Sequence, residues 1–119
     1  MNPKQFLTIG GIILVVLGIL GFFLIGPDAA TSIFHDAWWF DDVENWAHLV
    51  LGIVALLAVY TFPPSTHKPL VIVVGIIAIL VGLYSLFGTT MLAGANLENP
   101  LDTILHIVVG AWALWAAMK

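Results

Sequence analysis

Two stretches decide the fold: ENWAHLVLGIVAL at residues 44–56 and DTILHIVVGAWAL at residues 102–114. Aligned without a gap, both read an acid, a histidine four positions on, a glycine four beyond that, and then an alanine and a leucine. Positions four apart stack on one face of a helix, so each stretch places acid, imidazole and gap in a stripe. The preceding apolar runs also correspond. GIILVVLGILGFF from Gly11 and GIIAILVGLYSLF from Gly75 share two glycines seven residues apart and a pair of isoleucines. Aliphatic matches arise easily in apolar sequence, so the glycines and the acid–His–Gly spacing carry the inference that the chain is an internal duplication.

Composition supplies the class. Of the 119 residues 61% are hydrophobic and 8% charged, against roughly 25% charged in ordinary globular domains. A bilayer core about 30 Å thick takes about 20 apolar residues per helix, and four runs qualify, at 7–25, 46–62, 70–87 and 101–118. The expected fold is an all-α integral membrane protein of four transmembrane helices, a single domain over 1–119 built as two tandem helical hairpins, repeat 1 at about 7–62 and repeat 2 at about 70–118. Each repeat crosses twice, so the copies are parallel and related by an axis along the membrane normal. His48 and His106 then share one depth, and a two-fold axis between the second and fourth helices would bring them face to face. The first run, preceded by Lys4 and followed by Ala29 and Ala30, has a secretory-signal alternative. Its length and its echo in the third run favour a retained helix.

All three lysines, Lys4, Lys68 and Lys119, fall at the termini or in the loop between helices two and three, which four crossings put on one side. By the positive-inside rule that side is cytoplasmic. The seven acids, Asp28, Asp36, Asp41, Asp42, Glu44, Glu98 and Asp102, occupy or flank the other two loops. In the first of these, Ile33, Phe34, Ala37 and Trp38 have helical spacing and the indoles of Trp38, Trp39 and Trp46 suit the headgroup level, so a short interfacial helix is expected. PPSTHKP at 63–69 reads as a tight turn with His67 solvated. The absence of cysteine removes disulfides and thiolate chemistry, and three basic residues do not make a nucleic-acid surface.

The order of features resembles an uncharacterised bacterial four-transmembrane family, domain of unknown function 4383. The resemblance rests on Gly21, Phe22, Gly26 and Pro27 closing a glycine-rich first helix; on Asn45, His48 and Gly52; on Gly75 and Gly82; and on Asn99, Pro100, Asp102, His106 and Gly110. It covers nearly the whole chain, departs at the long Trp-rich first loop, and implies a topology without an activity.

The stripes admit several uses. In the structural one, Asn99 caps a helix opened by Pro100, Asp102 sits at the favourable end of the dipole, the histidines bond across helices, and Gly52 and Gly110 admit a neighbouring backbone. In the second, Glu44, His48, Asp102 and His106 are a zinc-, iron- or manganese-type ligand set. In the third, His48 and His106 ligate a haem axially. A small transporter ranks lower because no ionisable residue lies near the midplane of a run. For an enzyme, His48 with Glu44 lacks a nucleophile or second catalytic element. Gly10, Gly11, Gly18, Gly21, Gly75 and Gly82 read as helix-packing positions, and Trp112 and Trp115 as faces toward lipid or a neighbour. The sequence therefore favours a non-enzymatic structural or accessory protein without a cofactor, in contact with lipid and with other membrane subunits or copies of itself.

Overall fold

The computed structural model describes residues 1–35, 38–87, 91–92, 95–96 and 101–118. Four helices dominate: α1 Pro3–Phe23, α2 Asp42–Thr61, α3 His67–Phe87 and α4 Leu101–Ala117. The first three are long and apolar enough to cross a membrane, whereas α4, with 17 residues, extends about 26 Å.

Local chemistry sets the helix starts. At α1 the Asn2 side chain accepts from the Gln5 amide at 2.8 Å while the Gln5 side chain accepts from the Asn2 amide at 3.0 Å, a reciprocal cap that satisfies two donors. α2 begins ahead of the expected start at residue 46, because the Asp41 carboxylate accepts from the Glu44 amide at 2.9 Å. Asp42 and Glu44 thereby enter the first turn, where the helix dipole favours anions. A single 3-10 turn, Pro64–Thr66, joins α2 to α3. His67 corrects the expectation of a solvated residue: it is buried, with Nε2 2.9 Å from the Ala58 carbonyl. That bond ties the turn back to the end of α2.

The chain forms two hairpins, α1 with α2 and α3 with α4. Their contacts correspond position by position. A Cβ on Gly52 would lie 2.8 Å from the Gly11 carbonyl oxygen, and one on Gly110 would lie 2.8 Å from that of Gly75. Two turns away, Gly18 abuts the Asn45 carbonyl and Gly82 that of Thr103. Only glycine lets the paired backbones come this close. Between the hairpins, contact runs mainly through α1 against α3 and α4. This corrects the expected axis between α2 and α4: both helices spend their glycine faces inside their own hairpins.

The interior divides in two. At the lysine end, where α1 and α3 begin, Phe6, Leu7, Ala58, Val59, Val71, Ala113, Ala116 and Ala117 form one apolar core. Phe6 meets Trp112 edge-on at 4.6 Å, and the Trp112 indole N–H points at the Met1 sulfur at 3.0 Å. At the acidic end, where α2 and α4 begin, polar groups are buried as well: Glu44, Asn45, Ser85, Asp102 and Thr103, beside Ile25 and Phe40.

No α-helix forms between Phe23 and Asp42 among the described residues, and Asp36 and Ala37, in the middle of the expected interfacial helix, lie outside them. The reason is competition for backbone groups. Asp28 accepts from the Thr31 amide at 2.9 Å, and the Ser32 hydroxyl accepts from the Phe34 amide at 3.1 Å while donating to the Trp38 carbonyl at 2.7 Å. The segment doubles back on itself through Ile33 N–H to Leu24 O at 2.9 Å and Phe40 N–H to Ile25 O at 2.7 Å. Near the other loop, Met91–Leu92 pairs antiparallel with Ala95–Asn96, and the latter strand lies against α2. Asp36, Ala37, Glu98, the Asn99–Pro100 helix start and Lys119 lie outside the described residues.

Candidate functional site at the acidic end

The site grows from the first turns of α2 and α4. Glu44 and Asp102, the acids of the two stripes, are both buried, and His48 and His106, one turn further in, are half-buried. Since α2 and α4 both begin at this end, the hairpins place the two histidines at the same end of the bundle. The expected bonding of the histidines across helices is corrected at His106, which bonds within its own helix. His106 Nδ1 lies 2.6 Å from the backbone carbonyl of Asp102, not its carboxylate. The Asp102 carboxylate instead accepts from the Trp38 indole N–H at 3.0 Å. Among the described residues no three His, Asp or Glu side chains gather as a metal-holding group.

His48 faces an aromatic cover. The Phe40 ring, nearly fully buried, meets the imidazole edge-on at 5.1 Å and meets Trp38 at 5.0 Å, and Trp38 leans on Phe34 at 5.4 Å. Residues 38–40 thus lie across the end of the bundle, running from His48 of the first hairpin to Asp102 of the second. Sequence reasoning placed Trp38 at the headgroup level and assigned Phe40 no contact. Nothing in local spacing pairs Trp38 with a residue so distant in the chain.

Behind this cover the hairpins differ. In the second, Ser85 and Thr103 share a hydrogen bond of 2.6 Å, and Ser85 also donates to the Gly82 carbonyl at 3.0 Å. The corresponding positions of the first are Gly21 and Asn45, and the Asn45 amide fills the space a side chain on Gly21 would need. Asn45 is fully buried, yet among the described residues neither its Oδ1 nor its Nδ2 has a hydrogen-bond partner, and the buried Nδ1 of His48 has none either. The signal for these residues was present in the repeat: each lies three positions before a stripe histidine or at the end of a glycine-spaced run.

Electrostatically this end is acidic. Lys4 and Lys68 stand in the first turns of α1 and α3, at the opposite end. The arrangement offers buried hydrogen-bond donors and acceptors beneath an aromatic cover, without an assembled ligand set among the described residues. No protein-family model, no curated protein and no solved structure matches the chain.

Proposed function

We propose that this chain is a small integral membrane protein with a structural or accessory role, packing against other membrane subunits or its own copies. In this reading all four helices cross a bacterial plasma membrane with both termini cytoplasmic, and the topology is that of the four-transmembrane family it resembles. One observation carries the reading: the helix faces left over after hairpin packing are continuously aliphatic and exposed. They include Ile9, Ile12, Ile13 and Val16 on α1, Val50, Leu51, Ile53 and Val54 on α2, Val73, Ile76, Ile77 and Leu80 on α3, and Ile104, Leu105 and Val108 on α4. Such surface is avoided in water and suits lipid or another apolar helix. The described polar groups inside mostly fasten the fold, as in Ser85 with Thr103, Trp38 with Asp102 and His67 with the Ala58 carbonyl.

The second reading, a metal or haem held by His48 and His106, is favoured by the buried Nδ1 of His48, which has no partner among the described residues. One preparation separates the two: untagged protein purified in mild detergent without chelator, after reporter fusions at the C-terminus and at the loop of residues 63–66. Cytoplasmic reporters, a co-purifying membrane partner or homo-oligomer, no Soret band and no stoichiometric metal are expected. A metal or haem bound one per chain and lost in His48→Ala would replace the first reading with the second.

A further inference from the structure

We propose that the acidic half of the bundle is an outward-facing polar vestibule that takes up water, closed by residues 38–40 and latched by the Trp38–Asp102 hydrogen bond; this rests on the membrane reading above. The argument begins with unmet hydrogen bonds. Asn45 is fully buried with two donors and an acceptor unused, and one turn inward His48 Nδ1 is also buried and unpartnered. Each unmatched polar atom raises the free energy of the closed, dry state, and small hydrogen-bonding molecules remove that cost by entering. Water is the smallest of them and offers donors and acceptors together.

Among the described residues the two ends of the interior are closed differently. Toward the lysine end the interior is sealed by the apolar core and by Phe6 against Trp112. Toward the acidic end the cover is Phe40, edge-on to His48, and Trp38 beside it. Its anchors within the first hairpin are backbone bonds, Phe40 N–H to Ile25 O and Ser32 Oγ–H to Trp38 O, both 2.7 Å. Its tie to the second hairpin is Trp38 N–H to Asp102 at 3.0 Å. Breaking that bond frees the cover from α4 while leaving it rooted beside α1, which is the behaviour of a hinged flap.

The chain contains no cysteine, so single introduced cysteines report access without background. Intact cells are treated with a membrane-impermeant methanethiosulfonate, each variant being checked for helicity and a single detergent-solubilised species. Ala30→Cys, on the exposed outer loop, and Ser65→Cys, on the cytoplasmic turn, test the orientation. His48→Cys, with Asn45→Cys as a second reporter, tests the vestibule, and Ala55→Cys, two turns inward of His48, tests its floor. Ala30→Cys labels promptly, His48→Cys more slowly, and Ala55→Cys stays unlabelled. Adding Trp38→Phe, which removes the donor and keeps an aromatic ring, accelerates labelling at position 48 about tenfold, as expected for loss of a hydrogen bond to a charged group. Labelling at Ser65→Cys and not at Ala30→Cys would overturn the orientation, and inverted vesicles would then test the vestibule from its own side. With orientation upheld, silence at both positions 45 and 48 in the Trp38→Phe background overturns the vestibule. Equal rates at 48 and 55 overturn its sealed floor, and an unchanged rate on Trp38→Phe overturns the latch.

Discussion

The two hairpins share their backbone contacts and differ in their polar contacts. Gly11 and Gly52 meet as Gly75 and Gly110 do, and Gly18 approaches α2 as Gly82 approaches α4. Buried positions on α2, from Glu44 and Asn45 through Gly52 to Ala58 and Val59, have buried counterparts on α4 at Asp102, Thr103, Gly110, Ala116 and Ala117. At the acidic end the likeness stops: one hairpin closes a hydroxyl pair, the other buries an amide without partners and carries the aromatic cover. The two hairpins thus share their steric rules while their polar groups differ. In a membrane the steric rule is the harder to relax, because close backbone approach does much of the work of holding helices together.

The largest effects should come from that shared frame. In Gly52→Leu and Gly110→Leu the new side chain meets backbone oxygen and nitrogen, which cannot yield without separating the helices. Each should cost about 3 kcal/mol, at the upper end of overpacking losses. Reversible denaturation in mixed micelles measures this, and unequal losses would show that the hairpins are not energetic equivalents. Next in size is Trp38→Phe, which strips the Asp102 carboxylate of an indole donor and should cost about 2 kcal/mol. Its signature is selective: the tie between the hairpins is lost while the contacts within each remain. A thermal melt followed by cross-linking between the hairpins distinguishes this from general unfolding.

What the sequence made legible follows the same division. Period and spacing carried the helices, their pairing into hairpins and the glycine contacts, because those are set by positions three and four apart on a helix. The α2 start was also written there, as Asp41 three residues before Glu44, but the clustered acids Asp41 and Asp42 read as loop. The flap was not legible. Trp38 has helical spacing with Ile33 and Phe34, and that local signal gave way to the Asp28 and Ser32 side chains bonding the backbone. His67 looked solvated because nothing in PPSTHKP reveals that the turn folds its imidazole back onto the Ala58 carbonyl. Grouping Glu44, His48, Asp102 and His106 identified the right region, but the bonds within it run to a backbone carbonyl and an indole rather than from acid to imidazole.

Smaller effects of opposite sign should mark the diverged positions. Thr103→Val removes the partner of the Ser85 hydroxyl and should cost about 1 kcal/mol, with Ser85 keeping its bond to the Gly82 carbonyl. Asn45→Leu exchanges an unpartnered amide for an apolar side chain of similar branching, and should be neutral or stabilising by about 1 kcal/mol. Equal destabilisation by both, in the same denaturation experiment, would mean that the Asn45 amide is as fully bonded in the folded protein as Thr103.

The finest test transplants one hairpin's polar pair into the other. Gly21→Ser alone places a Cβ where the Asn45 amide sits, and Asn45, fully buried, has little room to move. Asn45→Thr alone leaves a gap above Gly21 and a hydroxyl without its counterpart. Together the two substitutions rebuild the arrangement of Ser85 with Thr103 on a frame whose glycines already match. The double variant should therefore lie within about 0.5 kcal/mol of the parent, with a favourable coupling of about 1 kcal/mol between the substitutions. A coupling near zero would mean that the frames differ by enough at the acidic end to keep the hydroxyls apart, so that the polar divergence had been accompanied by a shift of the helices themselves.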